Sequence, residues 1–527
     1  MSAGACKLRI PGIESTLERN VPTMPSHARR RIRHNTLYCA LMLGGAVSAH
    51  AASAPPPDLV EGARRVMLDP HLHDLQHRPA GEVARIAAEL GLQTLLPPAT
   101  PSALVVTNCN DNGAGSLRAM VAAAASGNTI DLRGLTCPKI ALSTGQIVVP
   151  QATLTVLGPG AARLEIGAGG GKYENRVFKH TGTGSLLIEG VTISGGTASG
   201  TTQNPNAAGG CITSEGSVML GNPLFATATE YGAVVTGCRA VALANGTASG
   251  GGVFASKEII MTHSKVTHCE VEAHSDGIGL HIDGGGGIMA AGRATLFATE
   301  LSDNLEDGSK YGGGGAAFAG MTTTGTNLVL NSTISGNTAR YAGGLSIAAP
   351  TEVRNSTISG NVAMLGGGIL VEGTSVEATL DNLTITDNTA TSDQTGGGLL
   401  IYGVAPVTLR SSIVAGNFRA HTVDDDIGSS QSMSIGGSNN LVGLSTTVYL
   451  PADTVLGTDP QLQPLAWNGG TTRTHALQPT SQAIGRGINA RNESWDQRGP
   501  GFPRLVNQRV DIGAFEYSDV IFADGFD

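Results

Sequence analysis

Aromatic side chains supply only 4% of the 527 residues and charged ones only 14%. A core built with so few rings must be narrow and filled by Val, Ile and Leu. Basic residues number 33 against 42 acidic ones, a formal charge of -9, so there is no basic field to attract nucleic acid. No Gly-x-y period accompanies the 74 glycines, which excludes collagen. Short alternating aliphatic runs exclude simple disorder.

One apolar stretch stands out near the start. Arg29-Arg30-Arg31-Ile32-Arg33 precedes the mostly apolar Leu37 to Val47, and Ala49-His50-Ala51 has the small-x-small form of a signal-peptidase site. The run is too short to span a bilayer. Residues 1–51 therefore read as a secretory signal, with Met24 an alternative start and 1–23 an N-terminal extension. Their removal takes away seven basic and two acidic side chains and moves the charge to -14. Cys6 and Cys39 leave with the signal. Cys109, Cys137, Cys211, Cys238 and Cys269 enter an oxidising compartment as an odd set, with at most two disulfides within one chain.

Residues 52–103 read as a linker with a short helix at 80–91. Within it, His71, His73 and His77 are candidate metal ligands, although a strand would suit the first pair and a helix the second. Residues 104–170 read as an N-terminal cap and first coils. Ser116 is placed to cap a helix with apolar residues at 117, 120, 121 and 124.

Between 171 and 445 two motifs recur. Gly-Gly-x-apolar appears at Gly209-Gly210, Gly251-Gly252, Gly286-Gly287, Gly314-Gly315, Gly343-Gly344, Gly367-Gly368 and Gly397-Gly398. An aliphatic-small-x-Asn motif ends at Asn304, Asn337, Asn361, Asn388 and Asn417, preceded in the same frame by Cys238 and Cys269. The spacings of 31, 35, 33, 24, 27 and 29 exclude a rigid helical repeat but suit coils of short strands whose turns tolerate insertions. The expectation is an all-β solenoid, a parallel β-helix with a short N-terminal capping helix. Gly-Gly is expected to supply positive φ at corners, and the Asn position to form an inward ladder. Cys238 and Cys269, in successive coils, fall within disulfide range, and Cys109 with Cys137 forms the other expected pair, leaving Cys211 as the free thiol.

These motifs resemble the repeats of bacterial polymorphic outer-membrane proteins, within the pectin-lyase-like superfamily, which implies a right-handed β-helix. Val106-Thr107 through Asn112-Gly113-Ala114-Gly115-Ser116-Leu117-Arg118 is similar to the CSLREA-type segment of exported proteins. Residues 446–517 resemble a choice-of-anchor Q region through Thr458-Asp459-Pro460, Asn468-Gly469-Gly470, Thr472-Arg473-Thr474-His475, Asp496-Gln497-Arg498-Gly499 and Val510-Asp511-Ile512-Gly513-Ala514-Phe515-Glu516. The family's usual Pro and Asp are replaced by Gln482 and Gly485. Residues 518–527 form a C-terminal tail similar to short sorting tags.

Catalysis on this fold needs clustered carboxylates, or acidic Ca²⁺ ligands with a basic partner. Residues 263–283 concentrate titratable groups, so His263, His281, Asp283 and Asp303 are catalytic candidates, and His268 and His274 metal candidates. Asp424-Asp425-Asp426 reads as a loop or turn. The balance favours a monomeric, non-catalytic, exported protein without a resident cofactor. It would sit outside the cell or on the outer-membrane surface of a Gram-negative-type bacterium and touch polysaccharide or a cell-surface component. A polysaccharide lyase or glycoside hydrolase for acidic polysaccharide, with Ca²⁺ if a lyase, is the alternative.

Overall fold

The computed structural model describes residues 103–518 apart from 170–174, 223–230, 274–283, 309–311, 319–324, 374–375, 394–395 and 458, together with Ala63, Arg64, Val66, Met67, Asp69, Glu82, Val83 and Arg85. The chain forms a parallel β-helix in which each coil lays successive strands on a ten-stranded sheet, twice on a 22-stranded sheet that bends along its middle, and on a nine-stranded sheet. These are faces 1, 2, 3 and 4 in chain order. A single coil illustrates them: Leu345–Ile347 lies on face 1, Thr351–Ser359 turns from face 2 to face 3 at Asn355, and Val362–Leu365 lies on face 4.

Alternation makes the core. On face 3 the aliphatic residues of the Asn motif stack as Ile193, Val235, Val266, Leu301, Ile334, Ile358, Ile385 and Val414, all fully buried. Face 2 adds a second column through Leu154, Leu186, Val218 and Ile259. One helix, α1 (Leu117–Ala123), closes the first coils. Ser116 accepts the Ala119 N–H at its start, and Gln151 Nε2 donates to the Val121 and Ala124 carbonyls at its end. Leu117 and Val121 enter the common core. Asp111 ties the preceding loop down, pairing with Arg118 at 2.7 Å and accepting from the backbone and hydroxyls of Ser143 and Thr144. Burial raises its pKa, but these donors outweigh burial and hold the carboxyl at about 2.

The corner between faces 3 and 4 holds the asparagine ladder. Each side-chain amide donates to the Oδ1 of the next coil's asparagine, at 2.9 Å from Asn304 to Asn337, Asn337 to Asn361 and Asn361 to Asn388, and 2.8 Å from Asn388 to Asn417. The same oxygens accept the backbone N–H of the coil before, and each amide also donates to a carbonyl on face 3. Buried backbone groups at this corner would otherwise have no partner.

The paired glycines act differently from expectation. Only in Gly209-Gly210 does the pair itself carry positive φ, at Gly209; in other coils it falls on the residue before the pair, such as Gly250, Gly285, Ala342 and Gly366. The pair itself is required by closeness. A Cβ on Gly343 would strike the Gly367 carbonyl, and one on Gly344 would stand 3.2 Å from Asn361 Nδ2 and 2.7 Å from the Gly368 carbonyl. Gly252, Gly287, Gly315, Gly368 and Gly398 likewise face the ladder residue of their own coil. We call this the facing row.

That row corrects the cysteine pairing. Strand register matches Ile212 with Val253, so Cys211 occupies the facing position held by Gly252 in the next coil. Cys211 therefore meets Cys238 across the coil and bonds to it, with Cα atoms 5.4 Å apart. Cys269, expected to bond Cys238, faces Gly252, which has no side chain, and remains a buried thiol. Burial pushes that thiol up to about 12. Cys109 and Cys137 are bridged.

At the other end, Asp426 sits in the facing row beside Gly398 and takes the place of a further ladder residue. Its Oδ1 accepts both the backbone and side-chain N–H of Asn417 at 2.8 Å, and its Oδ2 accepts Leu444 N–H at 2.7 Å. Burial raises its carboxyl to about 6. The acidic run read as a turn thus contributes the terminal acceptor of the ladder.

Two outcomes follow. Asn361→Ala leaves the buried backbone and side-chain N–H groups of Asn337 without their shared acceptor and should cost about 3 kcal/mol in urea unfolding, while Cys269→Asn, which extends the ladder, should cost nothing or stabilise. Equal losses in both would contradict the ladder's energetic role. Thiol labelling of the oxidised protein lacking residues 1–51 should find one free cysteine after denaturation and none before, and peptide mapping should join Cys211 to Cys238.

Candidate functional site

After the last coils the chain folds back along the bend between faces 2 and 3. That bend carries one left-handed residue per coil, among them Asn331, Asn355, Asn382 and Asn439. Their side-chain amides donate to the Asp496, Trp495, Ile488 and Arg486 carbonyls of the returning segment. Asparagine suits the position twice, since it tolerates positive φ and still carries a donor.

The outward rows of face 3 form the bed for this segment. Ser194, Thr236, Thr267, Ser302, Ser335, Ser359 and Thr386 make one continuous column of hydroxyls. From Thr267 onward it is buried. Arg473 donates to Ser335 Oγ at 2.9 Å, and His475 Nε2 lies 2.8 Å from Ser359 Oγ. Gln497 bridges Thr333 and Thr357. The other ring nitrogen of His475 donates to the Gln463 carbonyl at 2.8 Å, and burial lowers its pKa.

Acidic side chains of the coils are answered by basic ones of the returning segment. Glu300, fully buried, pairs with Arg473 and with Lys265 at 3.4 Å, and accepts the Tyr231 hydroxyl at 2.9 Å. Burial and the Glu300 charge raise the pKa of that phenol. Asp381 holds Arg410 at 2.7 Å and Arg491 at 3.0 Å. Within the segment, buried Arg504 pairs with Glu516 at 2.8 Å and donates to Asn355 Oδ1 at 2.6 Å. Arg498 binds Asp496 at 2.6 Å and lies over the rings of Phe502 and Phe515, 4.0 and 3.8 Å from their centroids. Most of these groups belong to the motifs singled out in residues 446–517.

Face 2 is covered from another direction. Its outward Met219 and Ile260 have no solvent exposure. Arg64 donates to the outward Thr295 at 2.9 Å, and Ala63, Val66, Met67 and Val83 are buried. Among the few described residues of the stretch expected as a linker, Arg64 thus reaches the coils.

What stays open is the corner between faces 3 and 4 in the earlier coils. Ser194 and Thr236 are half-buried there, as are Thr197 and Ser199 across the corner, whereas Ser302 and Ser335 are buried. His268 and Asp303 stand in one column of this corner, at φ 53° and 56°, in the place that Gly195, Gly237, Gly336 and Gly360 occupy in other coils. Both are exposed, and His268 Nδ1 lies 2.9 Å from Thr267 Oγ1. His263 lies elsewhere, at the bend between faces 2 and 3, edge-on to Phe297 with ring centroids 5.6 Å apart. The structure thus brings His268 and Asp303 together and separates His263 from them. His71, His73, His77, His274, His281 and Asp283 lie outside the described residues.

Among the described residues, no three His, Cys, Asp or Glu side chains converge on a metal position, and no helix is long and apolar enough to cross a membrane. Sequence reasoning missed the Asn column, although its signal was present as an asparagine three residues before each buried aliphatic residue in Asn331-Ser332-Thr333-Ile334, Asn355-Ser356-Thr357-Ile358 and Asn382-Leu383-Thr384-Ile385.

No protein-family model matches the chain, and no curated protein does. Among solved structures, the crystal structure of pectate lyase Pel9A superposes with a TM-score of 0.42 at 13% identity, covering 79% of this chain and 97% of that one.

Arg473→Ala leaves Glu300 buried with a single, more distant cation, which should cost about 3 kcal/mol. Limited proteolysis should then cut faster after residue 446, and Arg473→Lys should restore part of the protection. Unchanged cleavage would show that this pair does not hold the segment down.

Proposed function

We propose that the protein is an exported, non-catalytic β-helix that works outside the cell or at the cell surface through adhesive contact with glycan. The observation that carries this reading is the division of labour among the polar side chains. Described carboxylates such as Glu300, Asp381 and Glu516 are bound to arginines that fasten the returning segment, whereas the open corner offers the half-buried hydroxyls of Ser194 and Thr236 in adjacent coils, with Thr197 and Ser199 beside them. Hydrolysis or β-elimination needs carboxylates free to exchange protons or hold Ca²⁺. Hydroxyls that can both give and accept hydrogen bonds suit a glycan, whose own groups do the same.

Two disulfides support an oxidising compartment, in keeping with the signal-like residues 1–51. The likeness to polymorphic outer-membrane-protein repeats, with CSLREA-type and choice-of-anchor Q-like ends, is supported by the joint work of the residues that carry it. Arg118 anchors the cap through Asp111, and Asp496, Arg498 and Glu516 lock the returning segment. The competing lyase or hydrolase reading rests on His281 and Asp283 together with Asp303.

An assay of reducing ends and unsaturated products over a panel of neutral and acidic polysaccharides should show no turnover above background. Turnover abolished by Asp303→Ala or Asp283→Ala would replace the proposal with the enzymatic reading.

A further inference from the structure

Face 2 turns one apolar row into the core and a second one outward, and the outward row needs a partner. Leu187, Met219, Ile260, Thr295 and Leu328 stack in one outward column through five successive coils, with Phe297 beside Thr295 in the next. Their strand neighbours, such as Val218 and Ile259, belong to the common core, and they do not. Even so, none of the six is more than 9% exposed. The row has definite ends. Half-buried Thr155 precedes Leu187 in the column, and Glu352 follows Leu328, where Arg491 of the returning segment binds it at 2.6 Å. Between those ends the column runs about 19 Å. A contiguous apolar patch of that length is seldom left bare on a protein surface.

The chain carries a fitting occupant upstream of the coils. Apolar residues at 59, 60, 63, 66 and 67, and again at 83, 86, 87 and 90, keep helical spacing and form two stripes. The described residues of this stretch divide as amphipathic helices do. Ala63, Val66, Met67 and Val83 are helical and buried, whereas Arg85 is helical and exposed. Arg64 is buried as well, and its guanidinium donates to Thr295 Oγ1 at 2.9 Å, so the cation within the first stripe meets the hydroxyl within the row. At about 1.5 Å per residue the stripes measure about 10 to 12 Å each. Two of them match the row.

We infer that residues 58–91 are the partner of the outward row of face 2, two short helices laid against Leu187 to Leu328 and anchored by Arg64 on Thr295. The stretch is a docked strap, and it shields an apolar surface that would otherwise be open to a second copy of the chain. The coils are then fastened on two sides, by the strap on face 2 and by the returning segment along the bend.

Methionine oxidation by dilute peroxide in the full chain reads this contact, because Met219 points out of face 2, Met67 lies in the first stripe and Met261 points into the core. All three should oxidise about tenfold or more slowly than half-buried Met433. Val66→Asp combined with Val83→Asp alters no coil residue and should raise the Met67 and Met219 rates together by about tenfold while Met261 stays protected. Arg64→Ala should shift the same two methionines by about threefold. Hydrogen exchange needs no variant, and amides at 59–67 should exchange about tenfold or more slowly than in an unstructured chain. Exchange at the unstructured rate would overturn the inference. Met219 still protected in the double variant, with or without release of Met67, would overturn it too. Loss of Met219 protection when the unaltered chain is diluted, in step with dissociation of a dimer in sedimentation, would assign the row to a second copy instead of the strap.

Discussion

Every coil of this protein must bring its backbone through a tight interior corner without stranding a buried N–H group. The asparagine ladder meets that demand, and it can do so only because a glycine stands opposite each ladder residue. The two positions are one device, since the amide occupies the space that a facing side chain would need. Where the device stops, the facing row changes. Cys211 replaces glycine at the early end and bonds covalently to Cys238, and Asp426 replaces it at the late end and accepts from Asn417. The late end of the ladder thus coincides with a substitution in the facing row, whereas at its early end Cys269 takes the ladder position while a glycine still stands opposite.

The outward surfaces show a second economy. Face 3 repeats the same small hydroxyl-bearing residues along its length, yet their surroundings divide them. From Thr267 onward they are buried, with Ser335 and Ser359 bonded to the returning segment, whereas Ser194 and Thr236 meet solvent. The same residue types therefore hold the returning segment in one stretch and stand at the surface in another.

Much of the fold was legible because its determinants are local and repeat. Aliphatic residues at the first position of each Asn motif did become the buried column of face 3, and the asparagines did stack. The cysteine pairing went astray through a register shift of one residue. Aligning Gly209-Gly210 with Gly251-Gly252 hides the equivalence of Cys211 with Gly252, and only the hydrogen-bonded pairing of Ile212 with Val253 exposes it. The open corner was less legible still. Its limits depend on contacts such as Arg64 with Thr295 and Thr333 with the Arg473 carbonyl, made across 231 and 140 residues, for which local spacing carries no signal. Candidate groups scattered through 263–303 were sorted by the coil geometry, which puts His268 and Asp303 at one corner and His263 at another.

The ladder also has a direction. Each asparagine points one amide hydrogen toward the later coil and its oxygen toward the earlier one, so the side-chain dipoles of Asn304 through Asn417 add head to tail. Their combined positive end faces the Asp426 carboxylate, as the start of an α-helix faces a capping acid. Burial raises the cost of a charge at that place, and the aligned amides offset part of it. A column of neutral side chains thereby acquires an electrical polarity along the stack, and the acid at its end is the counter-charge that completes it.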